Sequence, residues 1–537
     1  MAYSQLLLPL LLVPVIAGLF IFSLRWAGSV PRQLITLIHL TSIGLVLGLS
    51  VLVVNGVLVE SSLIAFHHWL SIDSLGTLFL VLVSGVGFLT GFYAIGYMGH
   101  RLESGEIGQK NLCDFYGFFN LFLATMILVI IADNIILMWV AVEATTIAST
   151  LLICLYGKRS SLEAAWKYII ICSVGLAFGL YGTILIFSNA STLIANPEHA
   201  TSWAMLVQNA GAFDPTLTTI AFVFILIGFG TKAGLFPMHT WLPDAYSEAP
   251  APVSALLSSA LSNCAFLVII RYYMISVKAL GPSLPQTMLL GFGITSIACG
   301  ALFIIVQRDI KRLLAYSSIE NMGIVALALG IGGPLAIFAG LLHALNNSLA
   351  KAMAFCVSGN IEIKYGTSDS QSVKGVMSVM PASGVFFGIS VLALAGLPPF
   401  NVFVSEFLVL SSGINAGKPW LSIVVMLLLA TVFAGIVRMV TNVLLGEAPQ
   451  TLQKKESGLI KLAPMAAFVI VILWMGIRVP QPVVTLVRNA AEIVLDKPGT
   501  AWDESLLTPW KIISDDSGQT AFSQNPSSAV PPITADR

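Results

Sequence analysis

The chain has 537 residues, 57% hydrophobic and only 10% charged, with a formal net charge of zero. Soluble domains carry about 25% charged residues, so this composition excludes a soluble globular enzyme. A balanced charge gives no footing for nucleic-acid binding.

Mean hydropathy is +0.91. Apolar stretches of about 20 residues recur along the chain, the length of one membrane-crossing helix. The expected fold is an all-α integral membrane protein with about 14 transmembrane helices by that length rule. In chain order, spans 1 to 14 fall near residues 5–24, 34–54, 75–98, 113–132, 134–156, 165–188, 217–238, 253–275, 286–306, 313–331, 335–358, 382–411, 421–444 and 460–479. Met1–Leu12 holds no basic residue. A signal peptide opens on positive charge, so the first span is expected to remain in the protein.

Orientation follows from the basic residues. With the N-terminus outside, the inner loops hold about 15 Lys and Arg and the outer loops about three, a strong positive-inside bias. Arg25, Arg101, Lys158, Arg159, Arg308 and Lys311 are among the inner set, and Arg271, Lys278 and Lys418 are the outer ones. The expected location is the inner membrane of a bacterium, with both termini periplasmic. After span 14, Val483–Leu495 reads as an amphipathic surface helix. Ser514–Arg537 is rich in Ser, Pro, Asp and Gln and is expected to be disordered. His67 and His68 lie in an outer loop and are expected to be solvated.

Spans 7 and 12 each carry a break, Gly234-Leu235-Phe236-Pro237 and Gly396-Leu397-Pro398-Pro399. The breaks are offset by five spans, an odd number, so two copies of one unit would face opposite ways, the geometry of an inverted-topology repeat. This divides the chain into a three-helix segment (1–111), a first five-helix repeat (112–277), a second, inverted one (278–445), and a last helix with a polar tail (446–537).

Ionisable residues inside apolar sequence are expensive and point to function by default. They are Glu143 in span 5, Lys167 at the start of span 6, Lys232 in span 7, His343 and Lys351 in span 11, and Glu406 in span 12. The functional reading is a proton relay at mid-membrane depth; the plain alternative is a set of static ion pairs. Lys167 would alternatively be an interfacial lysine, and Arg438 in span 13 is expected to be structural. His239, Asp244 and Glu248, in the loop after span 7, are accessory candidates, as are Lys311 and Asn347. The magnitudes suit proton work. A Glu–Lys pair about 7 Å apart at an effective dielectric of about 20 interacts by roughly 2.4 kcal/mol. Moving one proton against 100 mV takes about 2.3 kcal/mol. The six cysteines are scattered without a C-x-x-C pair, so neither a zinc site nor an iron–sulfur cluster is expected in this chain.

Two stretches carry a family resemblance. Gly230–Ala245 (GTKAGLFPMHTWLPDA), followed by Ala249–Leu256 (APAPVSAL), resembles the antiporter-like subunits of respiratory complex I, Mrp antiporters and membrane-bound nickel–iron hydrogenases. Gln307–Ser318 (QRDIKRLLAYSS) resembles a second motif of that family. Within it, Cys113–Phe119, Ser161–Tyr168 and Ile319–Gly323 are most similar to component F of hydrogenase-4, a formate hydrogenlyase subunit. The resemblance implies that Glu143 modulates Lys232, that Lys167 is its span-6 partner, that Lys351 is a relay lysine and that Glu406 is the terminal group. It implies nickel–iron and iron–sulfur centres in partner subunits and none in this chain, with other membrane and soluble subunits of a hydrogenase complex as partners. The transported ion would be the proton, with sodium as an alternative. A complex I-type or Mrp-type antiporter subunit and a non-pumping membrane anchor are the rival readings. The chain departs from the family in span 8, where Ser258, Ser259 and Asn263 stand at positions often held by His or Lys, and at Asn347, where some members carry a second histidine.

Overall fold

The structure is a computed structural model and describes residues 3–26, 30–66, 69–194, 196, 199–449 and 452–497. His67, His68 and Ser514–Arg537 lie outside the described residues. Twelve helices among those described are long and apolar enough to cross a membrane. They are spans 1 to 6 (Tyr3–Leu24, Arg32–Glu60, Ser74–Glu103, Gln109–Ile131, Ile135–Ile153, Arg159–Ser191), spans 7 to 10 (Pro215–Ala233, Ala251–Leu280, Ser283–Val306, Ile310–Ile331), and spans 13 and 14 (Pro419–Leu445, Leu459–Ile477). The other two predicted spans carry polar or broken sequence. Span 11 is one helix, Gly333–Tyr365, with His343, Asn346, Asn347 and Lys351 inside it. Span 12 is two shorter helices, Pro381–Leu394 and Asn401–Asn415.

Helix starts are set by side chains that satisfy otherwise orphaned amides. Asn134 accepts from the amides of Ile136 and Leu137, Asp214 from Leu217, and Asp309 from Arg312. Pro215 follows Asp214 as the first residue of span 7, where its missing N–H costs nothing.

The same order of neighbours runs through both groups of five spans. Span 4 packs on 5, 5 on 6, 6 on 7, 7 on 8, and 8 returns to 4; span 9 packs on 10, 10 on 11, 11 on 12, 12 on 13, and 13 returns to 9. Spans 8 and 11 touch each other across the middle, and spans 8 and 10 are almost wholly enclosed. Each group has one interrupted helix. Span 7 ends at Ala233, with Gly234 at φ +85°, and resumes as the short helix Leu242–Glu248. Span 12 stops at Leu394, with Gly396 at φ +65°. The Phe236–Pro237 and Pro398–Pro399 bonds are cis.

Glycines bring span 7 close to span 6. A Cβ on Gly228 would overlap the backbone of Gly179, and one on Gly175 would lie 2.6 Å from Thr231 Cβ. Small residues permit such close helix approach in a membrane, and here the contact lies one turn from Lys232.

Between spans 2 and 3, strands β1 (Ser62–Ala65) and β2 (Leu70–Asp73) form an antiparallel hairpin with Ser62 opposite Asp73. Asp73 caps span 3 through the Gly76 amide at 2.8 Å. Its two carboxylate oxygens accept from Arg271 of span 8 at 2.5 and 2.8 Å, and the guanidinium also stacks 4.0 Å from the Trp203 ring. Burial pushes the Asp73 carboxyl up, but Arg271 and the Gly76 amide outweigh it and hold it below its ordinary value. Replacing Asp73 with Asn is expected to strand the buried guanidinium and cost about 3 kcal/mol. A carboxyl held low stabilises the fold above its unfolded value and stops doing so as pH falls through the folded one. The difference in Tm between the wild type and Asp73→Asn, measured in detergent, should therefore be full at pH 7 and shrink below about pH 4.

The helix Gln481–Leu495 follows span 14 and buries Val484, Val487, Ala491 and Val494. It packs on spans 3 and 11, as the amphipathic pattern of the sequence predicts.

Candidate functional site

Lys232 lies in the last turn of span 7 and is fully buried. Its Nζ donates to Thr146 Oγ1 of span 5 at 2.8 Å and to Tyr168 OH of span 6 at 2.5 Å. It also sits 4.6 Å from the centre of the Tyr168 ring. No Glu143–Lys232 ion pair is formed, so the static-pair alternative does not hold here. Glu143 Oε1 accepts from Ser173 Oγ at 2.8 Å, and Oε2 is buried without a hydrogen-bond partner. Thr146 stands three residues after Glu143, nearly one turn along the same helix, and its hydroxyl takes the place beside the ammonium.

Of the two readings of Lys167, its placement matches the interfacial one. Its side chain is 47% exposed, and Nζ pairs with Glu163 at 2.8 Å and Asp244 at 3.2 Å. It starts too near the end of its helix to reach the buried axis. Asp244 also binds Arg312, so it ties spans 6 and 10 to the short helix after the span-7 break. Glu248 accepts from Ser160 Oγ in the same region. Lys311 is buried and committed elsewhere: Nζ pairs with Glu362 at 2.6 Å and donates to the Ser247 and Ala249 carbonyls. Arg101 binds Glu362 from the other side. His239 is buried, with Nε2 3.4 Å from Cys299 Sγ and Nδ1 without a partner. Arg438 donates to the Ile305 carbonyl.

From Lys232 a file of polar and aromatic groups leads toward span 11. Tyr168 packs on Trp241 and Trp241 on Tyr246. Tyr246 OH donates to the Leu257 carbonyl at 2.9 Å and meets Ser262 Oγ at 3.1 Å. These contacts fall on a π-helical turn of span 8, Leu257–Leu261. Such turns interrupt the regular hydrogen-bond ladder and recur at functional sites. One turn on, Asn263 Nδ2 donates to Ser348 Oγ of span 11 at 2.9 Å, and Ser348 donates to the Ser259 carbonyl at 2.9 Å. Asn263 Oδ1 and both side-chain polar atoms of Asn347 are buried with no hydrogen-bond partner. Buried amides without partners are rare and are commonly served by ordered water. Asn263, through its side chain, and Ser259, through its carbonyl, thus make a buried polar bridge to Ser348 between the two groups of five spans.

Span 11 then presents two basic groups inward. Lys351 is fully buried, and its Nζ donates to the Leu314 carbonyl at 2.8 Å. His343 is held by Ser405 Oγ at 3.0 Å and Asn321 Oδ1 at 3.1 Å. Glu406 is 8% exposed and lies against Gly396 at the span-12 break. A Cβ at Gly396 would overlap Glu406 Oε2, and the positive φ already disfavours an L side chain. Gly396→Ala is expected to cost about 1–2 kcal/mol through backbone strain and to displace the Glu406 carboxylate. The displacement would be read as a loss of ion flux matching that of Glu406→Gln.

One central residue was not singled out as an intramembrane charge. Glu320 of span 10 is 1% exposed, accepts from Asn321 Nδ2, and lies within electrostatic reach of both Lys351 and Glu406. It stands in the same span of its group as Glu143 does in the first, five spans earlier, and that offset was the available signal. Among the described residues, no cluster of three or more His, Cys, Asp or Glu is arranged to hold a metal ion.

Comparison with known proteins agrees with this architecture. Residues 132–434 match the family described as NADH:quinone oxidoreductase/Mrp antiporter, TM. Residues 59–105 match the N-terminal family of NADH-ubiquinone oxidoreductase (complex I), chain 5. The chain is 38% identical over 427 residues to a hydrogenase-4 component F homolog of Methylacidiphilum infernorum, covering 79% of this chain and 88% of that protein. Its fold resembles a chain of the membrane-bound sulfane sulfur reductase, an archaeal respiratory membrane complex, with a TM-score of 0.82 at 23% identity, covering 91% of this chain and 98% of that one. It also resembles a chain of the Mrp complex from Dietzia sp., with a TM-score of 0.81 at 21% identity over 92% of this chain and 98% of the other. At such identities the two structures speak for the fold alone. This multi-pass helical chain belongs to the NADH:quinone oxidoreductase/Mrp antiporter family of membrane subunits.

Proposed function

We propose that this chain is the proton-translocating antiporter-like subunit of a membrane-bound nickel–iron hydrogenase complex of the formate hydrogenlyase type. Electron transfer takes place in partner subunits, which hold the nickel–iron and iron–sulfur centres. This chain moves protons in response. It lies in the inner membrane with its basic loops inside, as their charge bias favours.

The observation that carries this reading is the file of groups from half-buried Glu143 and buried Lys232, through the polar bridge between spans 8 and 11, to buried Lys351, Glu320, His343 and Glu406. Removing so many polar groups from water is costly unless they are used. Lys232 and Lys351 take and release protons, which a guanidinium does not do. Thr146 and Tyr168 hold the Lys232 ammonium in place. Glu143, with one oxygen unpartnered, is the charge that biases it. Asn263, Ser348 and Asn347 orient the water that carries protons between the two lysines. Asp244, Lys167 and Arg312 brace the inner surface around the span-7 break rather than entering the file. The 38% identity to a hydrogenase-4 component F homolog favours a hydrogenase setting over a free-standing exchanger.

The test is the whole complex in liposomes with an internal pH dye. Hydrogenase turnover is expected to drive a proton flux that collapses with an uncoupler. Turnover without any such flux would overturn the reading in favour of a membrane anchor. Sodium–proton exchange by this chain alone would overturn it in favour of an Mrp-type exchanger.

A further inference from the structure

A cavity of about 710 Å³ opens on the side of the basic loops, away from the axis described above, between the start of span 2, the ends of spans 3 and 11 and the start of span 14. Its wall includes Arg32, His100, Lys364, Lys455 and Lys461, against two acids, Glu103 and Glu456. Both acids are already engaged. Glu103 pairs with Arg32 at 2.6 Å. Glu456 accepts from the Ala382 and Ser383 amides and from Ser383 Oγ, capping the first helix of span 12. Among the described residues no ion pair joins the remaining cationic groups of this wall to an acid; Glu456 and Glu103 reach Lys461 only through longer-range attraction.

Lys461 is the telling one. The residue is only 8% exposed, yet its ammonium has no ion pair or hydrogen bond among the described residues. Its stem is fixed across span 3 at Gly96, where a Cβ would lie 2.6 Å from Lys461 Cγ. A buried, unpaired cation is destabilising unless something answers it. Span 14 also begins here, at Gly458, with no side-chain cap on its first amides. Free amides at a helix start favour an anion in the same direction as the lysines do.

We propose that this cavity binds a phosphate group, that of an anionic phospholipid headgroup from the inner leaflet. Lys461 contacts the phosphate from the closed end, Lys364 and Lys455 from the open side, and the span-14 amides complete the cradle. The source is read from position. Leu459 and Ile460, at the rim, are 82% and 52% exposed, an apolar surface beside the cavity on which acyl chains can lie. Basic pockets at this level between transmembrane helices suit lipid headgroups.

The test uses the full chain purified in detergent, stripped of lipid and followed by thermal unfolding. Short-chain phosphatidylglycerol is expected to raise Tm saturably, and phosphatidylcholine to have little effect. Lys461→Met keeps the stem and removes the charge; it should unfold no lower than the wild type without lipid and need at least tenfold more phosphatidylglycerol for half its shift. Lys455→Gln, at an exposed position, should weaken binding with no effect on folding. If inorganic phosphate at the same concentration gives the same shift, the phosphate site stands and the lipid source is overturned. If both variants respond like the wild type, or only an acidic peptide gives a saturable shift, the proposal fails.

Discussion

Replacing Lys232 with methionine is expected to cut proton flux by at least about tenfold, the factor that about 1.4 kcal/mol on a limiting step produces. Hydrogen turnover in the partner subunits should persist once flux is uncoupled from it. The expectation rests on where the ammonium sits. It is fully buried and held by two neutral hydroxyls, those of Thr146 and Tyr168, rather than by a carboxylate at hydrogen-bond distance. A charge locked into a buried ion pair is hard to move; one held by hydroxyls exchanges its proton without breaking a salt bridge.

Folding and transport are separable at this position. Methionine fills a similar volume, and an apolar replacement of a buried charge is often neutral or stabilising. The two hydroxyls lose a donor, at about 1 kcal/mol each. Lys232→Met should therefore be recovered in the assembled complex. Lys232→Arg is the sharper variant. It keeps the positive charge, so a purely structural role would tolerate it, whereas a relay would not, because a guanidinium does not release its proton. Full flux from the arginine variant in liposomes would refute the relay at this residue.

Much of this arrangement was legible in the sequence because membrane insertion forces it. Span lengths, the two interrupted helices and Lys232 all follow from the cost of exposing polar groups to lipid. Side-chain direction was less legible. Glu143 lies two spans before Lys232, and periodicity does not say that Thr146 would stand beside the ammonium or that Ser173 would claim the carboxylate. Lys167 reads as an inward charge from its apolar flanks, yet its position early in a long helix leaves it among Glu163 and Asp244. The ion network of Arg101, Glu362 and Lys311 joins residues more than two hundred positions apart in sequence, which no local pattern reports. The empty hydrogen-bonding capacity of Asn347 emerges only once its neighbours are placed.

Glu320→Gln is expected to reduce flux about tenfold as well, again the effect of roughly 1.4 kcal/mol on a limiting step. Its surroundings make it the second group's answer to Glu143: a buried carboxylate one span before a buried lysine, with Glu406 beyond it. Span 9 presses closely on it, since a Cβ at Gly300 would lie 2.5 Å from Glu320 Cβ. Glutamine therefore fits the same space, and the change is one of charge alone. A static pair with Lys351 would also suffer from this substitution, so the single variant does not decide between the two roles. The double variant Glu320→Gln with Lys351→Met does. If the two residues only neutralise each other, removing both charges together spares the cost of a lone buried ion, and stability and flux both return. If they pass protons, stability returns and flux stays lost. Recovery of flux in the double variant, measured in the same liposomes as the wild type, would reduce Glu320 and Lys351 to scaffolding and confine transport to the first group of five spans.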